Sequence, residues 1–338
     1  MSQVRIAFSD LVDLASERVG GKTLAANDDF FASKDNLLKI ESPIFIPDKY
    51  SEVGKWMDGW ESRRKRVPGY DWCLIRLGIP GIIRGVVVDT AHFLGNFPEY
   101  CSLEGAELAE GADPGPNASQ WREILPKVAL QGGTENGFSI SAPDRYTHLK
   151  LNIFPDGGVA RLRVYGDVVP DWERVKKVDG RIDLAALENG GRALVCNDMF
   201  FSHKDNLISP GKAKTMGEGW ETRRRRGPGN DWIILKLGKP GRVQKVELDT
   251  SHFKGNFPDS CSIEGCRLEQ SFLPSDFRDR QDIQWVELLP KTKLKADTVH
   301  ELVKELKAEA TKQVFDHVRL QIYPDGGVSR LRLYGELA

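Results

Sequence analysis

The sequence has 338 residues, which exceeds the usual size of one compact core and favours two domains. Apolar residues make up 40% of the chain and charged residues 29%, and the 48 Lys and Arg residues nearly balance the 49 Asp and Glu residues. This balance is typical of a globular protein and excludes a chain that binds nucleic acid through its overall charge.

The sequence shows no targeting or membrane signal. Its first ten residues lack the charged start and apolar stretch of a signal peptide, and no later run of about 18 apolar residues could span a bilayer. The five cysteines are odd in number and form no Cys-x-x-Cys pair, so we expect buried free thiols rather than disulfides or a structural zinc site. A cytoplasmic protein with no membrane partner is predicted.

Long motifs occur twice in the same order, which indicates an internal duplication. The offsets between matched residues lie between 160 and 170, so the copies differ by insertions and deletions in loops. We therefore predict two domains, at residues 1–168 and 169–338, with a linker near residues 168–172. The matched segments are 27–37 with 197–207, 59–72 with 219–232, 89–98 with 249–258, and 148–166 with 317–335.

Most predicted elements are strands. Two apolar strands are expected at residues 71–78 and 82–88, separated by a Gly-Ile-Pro-Gly turn. Residues 148–153 and 317–322 alternate between apolar and polar, which predicts a half-buried strand. In each copy a Pro-Asp-Gly-Gly turn and a second alternating strand follow, and this order predicts a hairpin.

Helix is expected to be minor. Short helices are predicted at residues 183–187, near Asp13, and at residues 298–312, where apolar residues share a helical face. Many short strands with Gly and Pro turns, and no alternation of strand with helix, predict an all-β antiparallel sandwich or barrel in each copy.

The first candidate motif is a run of basic residues that follows a tryptophan. The planar guanidinium fork binds a carboxylate through two parallel hydrogen bonds, so this run would suit a small anionic substrate. An ordinary solvated charge run is the alternative. The run is Gly59-Trp60-Glu61-Ser62-Arg63-Arg64-Lys65-Arg66, and it recurs as Gly219-Trp220-Glu221-Thr222-Arg223-Arg224-Arg225-Arg226.

The second candidate motif leaves the sheet at the end of an apolar strand. An imidazole titrates near pH 6.5, so His92 or His252 could transfer a proton at neutral pH. The structural alternative is that the Asp caps the turn, the His binds a backbone carbonyl, and Phe-Pro closes the loop. The motif is Asp89-Thr90-Ala91-His92-Phe93-Leu94-Gly95-Asn96-Phe97-Pro98, and its second copy contains His252 and Asn256.

The third candidate motif is the Pro-Asp-Gly-Gly turn with the arginines behind it. Arg161 and Arg163 are expected on the outward face of the hairpin, where Arg161, or Arg330 in the second copy, could contact a ligand. A plain hairpin turn is the alternative. Asn36 and Asn206, each next to a Phe-Phe pair that is expected to pack, are minor candidates.

Several common catalytic signatures do not occur in the sequence. It contains no HExxH motif, no closely paired histidines, no GxSxG motif and no phosphate-binding glycine loop. These observations disfavour a zincin, a serine hydrolase and a nucleotide enzyme. No cofactor is predicted, and a divalent metal held by residues distant in sequence is left open.

The three repeated motifs together resemble the allantoicase repeat, and the resemblance covers nearly the whole chain. It implies a jelly-roll β-sandwich of the galactose-binding-like kind in each half. It also implies that the chain forms a homo-oligomer and hydrolyses allantoate to ureidoglycolate and urea in the breakdown of purines through allantoin.

Allantoate carries one carboxylate and two ureido groups on a single carbon. Its site therefore needs an anion clamp, hydrogen bonds to amide groups, and a proton donor for the departing urea. Either copy could supply the groups for these three tasks. The anion clamp would be Arg63 and Arg64 or Arg223 and Arg224, the amide would be Asn96 or Asn256, and the proton would move through His92 or His252 with Glu61 or Glu221.

Two other classes of protein fit the same fold class. One is a non-catalytic sandwich that binds a carbohydrate or another ligand, and the other is an intracellular scaffold. Binding modules are commonly secreted or fused to a catalytic domain, and this sequence indicates neither arrangement. The resemblance therefore favours the enzyme.

Overall fold

The computed structural model describes residues 8, 11–109, 111–112, 114–268, 277, 280 and 282–338. The expectation for residues 1–10 therefore lies, apart from Phe8, outside the described residues. The chain divides into two units that meet in sequence between Val169 and Pro170. That each unit is an independent folding domain stays a prediction.

Strands dominate both units. In the first unit they are β1 (Val12–Asp13), β2 (Lys22–Ala26), β3 (Tyr50–Ser51), β4 (Gly54–Lys55), β5 (Trp60–Glu61), β6 (Asp71–Asp89), β7 (Tyr100–Ala106), β8 (Arg122–Ala129), β9 (Glu135–Ser139), β10 (Arg145–Phe154), β11 (Gly158–Val159) and β12 (Arg161–Val168).

The second unit has the same order of strands, except that among the described residues it lacks counterparts of β3 and β4 and has the additional strand β13 (Lys177–Val178). Its other strands are β14 (Arg181–Asp183), β15 (Arg192–Cys196), β16 (Trp220–Glu221), β17 (Asp231–Asp249), β18 (Ser260–Cys266), β19 (Val286–Lys293), β20 (Val299–Leu302), β21 (Phe315–Tyr323), β22 (Gly327–Val328) and β23 (Arg330–Leu337). Short 3-10 helices lie at Glu17–Val19, Lys34–Leu38, Leu187–Asn189, Lys204–Ile208, Met216–Glu218 and Ala310–Lys312.

Strand β6 connects the two layers of the first sandwich. Near Asp71 its neighbours are β2 and β10, whereas towards Asp89 its neighbours are β12 and β9. The two strands expected at residues 71–78 and 82–88 are therefore one strand of 19 residues, a correction to the sequence analysis. The Gly-Ile-Pro-Gly segment does not end the pairing, because Gly81 pairs with both Tyr146 and Val168. Strand β17 has the equivalent neighbours in the second unit.

The predicted hairpin is wrong in both copies. Strand β10 lies between β6 and β7, and β12 lies between β1 and β6, so β10 and β12 do not pair with each other. The reason is that the intervening Gly158–Val159 forms β11 and pairs with β5 instead. The Pro-Asp-Gly-Gly segment is thus a crossing between layers rather than a hairpin turn.

The expected polar, exposed face of β10 is also wrong. His148, Lys150 and Asn152 are each no more than 5% exposed. Strand β10 is flanked by β6 and β7 on its two edges. The Lys150 ammonium lies 2.9 Å from Glu104, and Nδ2 of Asn152 donates to the same carboxylate at 2.9 Å. Alternation in the sequence identifies the strand but not its burial.

The helix expected at residues 298–312 is wrong as well. Val299–Leu302 is strand β20, which pairs with β17, and only Ala310–Lys312 has helical turns. Backbone pairing along the edge of the sheet took precedence over the helical spacing of the apolar residues. The helix expected at residues 183–187 is displaced to Leu187–Asn189, since Asp183 still belongs to β14, and near Asp13 the helical residues are Glu17–Val19.

The expected fold class and the expected state of the cysteines are confirmed. The chain is all-β, and the two copies form two tandem units with matching sheet topology. The five cysteines are free and buried. In the described ranges, no helix has both the length and the apolar character needed to cross a membrane.

Candidate functional site

The three candidate motifs of each copy meet around the short strand that carries Glu61. On one edge of β5, the backbone of Glu61 exchanges hydrogen bonds with Ala32, at 3.0 and 3.3 Å. On the other edge, Glu61 pairs with Gly158 of β11. Trp60 anchors the strand because its ring is fully buried and its Nε1–H donates to the Asp28 carbonyl at 2.8 Å. The position of Glu61 is thus fixed from both sides.

The glycine pair of the third motif joins the other two motifs. The Gly158 amide donates to the Asn96 carbonyl at 2.8 Å, and the Ser62 amide donates to the Gly157 carbonyl at 3.2 Å. A Cβ atom on Gly158 would lie 2.0 Å from Cδ1 of Phe93, which is fully buried, so only glycine fits there.

We call the point where the three motifs of one unit meet the junction, and the second unit contains the same junction. The Gly327 amide donates to the Asn256 carbonyl at 2.8 Å, and a Cβ atom on Gly327 would lie 1.9 Å from Cε1 of Phe253. The repetition of this tight contact in both copies indicates that it is a requirement of the fold.

The junction places a carboxylate against an amide. Nδ2 of Asn96 donates to Oε1 of Glu61 at 2.7 Å, and Nδ2 of Asn256 donates to Oε1 of Glu221 at 2.5 Å. Burial raises the pKa of Glu61, and the hydrogen bond from Asn96 only partly opposes this shift. Within the described residues, the second carboxylate oxygen of Glu61 has no hydrogen-bond partner and can accept a hydrogen bond or a proton from a ligand.

The two histidines make the backbone contact that the structural alternative expected. Nε2 of His92 lies 3.1 Å from the Pro43 carbonyl, and Nε2 of His252 lies 2.9 Å from the Ala213 carbonyl. A carbonyl only accepts, so Nε2 carries the proton and Nδ1 is the ring atom that can receive one. Their φ angles are 69° and 72°, an uncommon left-handed conformation that occurs often at functional sites.

The histidines and the glutamates are not brought into contact. In the described structure, the Glu61 carboxylate bonds to Asn96, whereas the His92 ring bonds to Pro43 and stacks on Phe45 at 5.7 Å between ring centroids. The pairing of Glu with Asn was therefore not anticipated, although both residues were named individually.

The basic run is held by acidic residues that the sequence analysis did not name. Nε of Arg63 donates to Oδ2 of Asp28 at 2.7 Å, and the Lys65 amide donates to Oδ2 of Asp156 at 2.7 Å. Burial would raise the pKa of Asp28, but hydrogen bonds from Arg63 and Phe30 and the charge of Arg63 outweigh it and hold that pKa below its ordinary value. The signal that could have found these acids is their presence at matching positions in both copies.

The arginines of the third motif are not on an outward face, which corrects the sequence analysis. Arg161 is 1% exposed and Arg330 is 5% exposed. Arg161 donates to the Glu41 and Asp58 carbonyls and forms an ion pair with Asp58 at 2.8 Å. The chain that precedes β5 folds over this side chain and buries it.

Arg330 and the two minor candidates also bind backbone carbonyls. Arg330 donates to Gly211 at 3.0 Å and to Glu218 at 2.6 Å. The Asn36 amide donates to the Gly59 carbonyl at 2.9 Å, and the Asn206 amide donates to the Gly219 carbonyl at 2.8 Å. These contacts hold the segment that leads into the basic run.

The two copies differ in the segment that lies beside the site. In the first unit this segment contains β3 and β4 and brings Phe45 to His92. In the second unit the segment is ten residues shorter, and Sδ of Met216 lies 3.9 Å from Nδ2 of Asn256. Each copy thus has the same polar groups at its site, whereas the apolar groups beside them differ between the copies.

The described residues contain no group of three or more His, Cys, Asp or Glu side chains arranged to hold a metal ion. The polar groups brought together at the junction are instead one carboxylate and one amide per copy.

Comparisons with known proteins agree on one family. The family model described as allantoicase repeat matches residues 12–169 and again residues 182–338. A protein of Photobacterium profundum named probable allantoicase is 47% identical over 328 residues, which cover 97% of each chain. A protein of Burkholderia mallei named probable allantoicase 1 is 49% identical over 96% of this chain and 94% of its own.

A solved structure is similar over the same length. The crystal structure of an allantoicase from Saccharomyces cerevisiae has a TM-score of 0.81 and 36% sequence identity, and the match covers 98% of this chain and 95% of that chain.

The close packing at the junction lets us predict how an added methyl group at Gly158 changes stability. We expect Gly158→Ala to destabilise the protein by about 1–3 kcal/mol, because the new Cβ forces the buried Phe93 ring to move. Gly95→Ala is the control, since a Cβ atom there meets nothing within 4 Å. Thermal unfolding followed by circular dichroism measures both variants. Equal Tm values for the two variants would contradict the tight contact.

Proposed function

The chain belongs to the allantoicase family, and from this premise we propose that it hydrolyses allantoate to ureidoglycolate and urea. The reaction makes it a hydrolase of C–N bonds in linear amidines, acting in the breakdown of purines through allantoin. The observation that carries the proposal at the level of residues is the pairing of Glu61 with Asn96, which the second unit repeats with Glu221 and Asn256.

The reaction makes defined demands on proton transfer. The bond between the central carbon and one ureido nitrogen breaks, and that nitrogen takes a proton as urea leaves. The oxygen of a water molecule bonds to the central carbon and gives up a proton, so protons balance. A carboxylate that accepts the proton from water and returns it to the departing nitrogen meets both demands.

Glu61 and Glu221 are suited to this role. The raised pKa of Glu61 makes its carboxylate a stronger base than an exposed glutamate, and Asn96 orients it through one oxygen. The carbonyl oxygen of the Asn96 side chain is an acceptor for the N–H groups of a ureido substituent. The amide would thus bind substrate and position the base at the same time.

The remaining assignments follow from the contacts of each side chain. Nδ1 of His92 or His252 would accept or return a proton, and the arginines of the basic run would hold the substrate carboxylate. Arg161, Arg330, Asn36 and Asn206 would position the segment before the basic run, because their donors bind its backbone carbonyls.

Two further properties are proposed on other grounds. The buried free thiols fit a reducing compartment, which supports the cytoplasm. A homo-oligomer remains part of the proposal because exposed apolar side chains such as Phe200 and Phe201, 62% and 61% exposed, suit burial between subunits.

Replacing the glutamates tests the catalytic assignment. We expect the double variant Glu61→Gln/Glu221→Gln to lose at least 100-fold in kcat/KM, since general acid–base catalysis contributes about 10² to 10⁴ in rate. Glutamine keeps the oxygen that accepts from Asn96, so the junction should stay folded. Urea release from allantoate measures the rate.

Single variants and a remote control complete this test. Each of Glu61→Gln and Glu221→Gln should keep the activity of the unaltered copy. The control is Glu173→Gln, an exposed residue outside both junctions that should match the parent chain. A double variant within a few-fold of the parent chain would rule out the glutamates as proton-transfer groups.

Replacing the histidines tests the second proton-transfer assignment. Asparagine tolerates the left-handed φ angles of 69° and 72°, so His92→Asn and His252→Asn should keep the loop in place. We expect the double variant to lose about 10²-fold or more in kcat, with little change in Tm. If urea release stays within a few-fold of the parent chain, the histidines only bind the backbone.

A further inference from the structure

The contacts of the basic run divide its side chains into two sets. Arg63 and Lys65 form the first set, which we call the tied set. Arg63 bonds to Asp28 through its backbone amide at 3.2 Å and through Nε at 2.7 Å. The Lys65 amide donates to Asp156 at 2.7 Å, and its ammonium pairs with the fully buried Asp71.

The second unit has the same tied set. Arg223 bonds to Asp198 through its amide at 2.9 Å and through Nε at 3.1 Å. The Arg225 amide donates to Asp325 at 2.8 Å, and its guanidinium pairs with the buried Asp231. Lysine in one copy and arginine in the other reach an equivalent aspartate, so the ion pair is retained although the residue type differs.

The second set, the free set, consists of the arginines between the tied residues and directly after them. Arg64 and Arg66 are exposed, as are Arg224 and Arg226. In the described part of the chain, none of the four makes a hydrogen bond, an ion pair or a ring contact. Each guanidinium therefore keeps five N–H donors available for a ligand.

The tied set and the free set also differ in whether acidic side chains neutralise their charges. Asp28, Asp71 and Asp156 more than neutralise Arg63 and Lys65. The free set adds two positive charges per copy, and the glutamate of the junction supplies one negative charge. These charges sum to zero in the first copy, with four cations in the basic run against three aspartates and one glutamate. The two guanidiniums of the free set are the cations that no acidic side chain of the described residues pairs with, so they are the ones available to the substrate carboxylate.

We propose that the free set, Arg64 and Arg66 with Arg224 and Arg226, binds the substrate carboxylate, and that the tied set and its aspartates position the run. This inference rests on the proposed function. It assigns Arg66 and Arg226 to substrate binding and gives Arg63 and Arg223 a positioning role. The Cα of Arg64 lies at most about 11 Å from that of Glu61 along the chain, so one small substrate can reach both side chains.

The test replaces matching arginines in both copies. We expect Arg64→Gln/Arg224→Gln and Arg66→Gln/Arg226→Gln each to raise KM for allantoate about tenfold or more, with kcat within a few-fold and Tm unchanged. The lysine versions, Arg66→Lys/Arg226→Lys, should recover part of the loss because they keep the charge without the fork.

Variants of the tied set should behave differently. Asp71→Asn/Asp231→Asn removes the buried charge that holds Lys65 and Arg225, so we expect a lower Tm together with a raised KM. A variant that lowers Tm but leaves KM unchanged would show that the aspartates only stabilise the fold.

The control removes the same number of charges elsewhere. Arg76→Gln/Arg174→Gln changes one exposed arginine in each unit and should leave KM unchanged. If the free-set variants also leave KM unchanged while the parent chain releases urea, this inference fails and the proposed function stands. If the parent chain releases no urea from allantoate, the proposed function itself fails.

Discussion

The packing of a glycine against a buried phenylalanine ring determines how each copy is assembled. Gly158 and Gly327 lie where any Cβ atom would overlap the ring of Phe93 or Phe253. The backbone of each glycine segment therefore packs directly against the phenylalanine of the histidine motif. The same segment pairs with the strand that carries the glutamate. Three motifs that lie far apart in sequence therefore meet at one point.

The duplication acts as an internal comparison. Some contacts occur in both copies and others occur in only one. The contacts found in both are those of Glu with Asn, of the histidine with a carbonyl, and of the basic run with a buried aspartate. Phe45 beside His92 and Met216 beside Asn256 belong to the second kind. We infer that the shared contacts carry the chemistry, while the unshared ones modify access to each site.

The sequence predicted the β class and the two copies because both depend on periodicity and self-similarity. It did not predict that β10 and β12 are unpaired, since the pairing of β11 with β5 is a long-range contact that local turn residues do not encode. It placed Arg161 outside for the same reason: the segment that buries it lies about 100 residues earlier. Glu61 and Asn96 were named from residue type, but their contact needed the fold.

The most direct measurement of the central claim is urea release by the chain supplied with allantoate. The account predicts one urea and one ureidoglycolate for each allantoate consumed, and it predicts that the double variant Glu61→Gln/Glu221→Gln remains folded but loses this activity. Urea release by that variant at the rate of the parent chain, or no release by the parent chain, would contradict it.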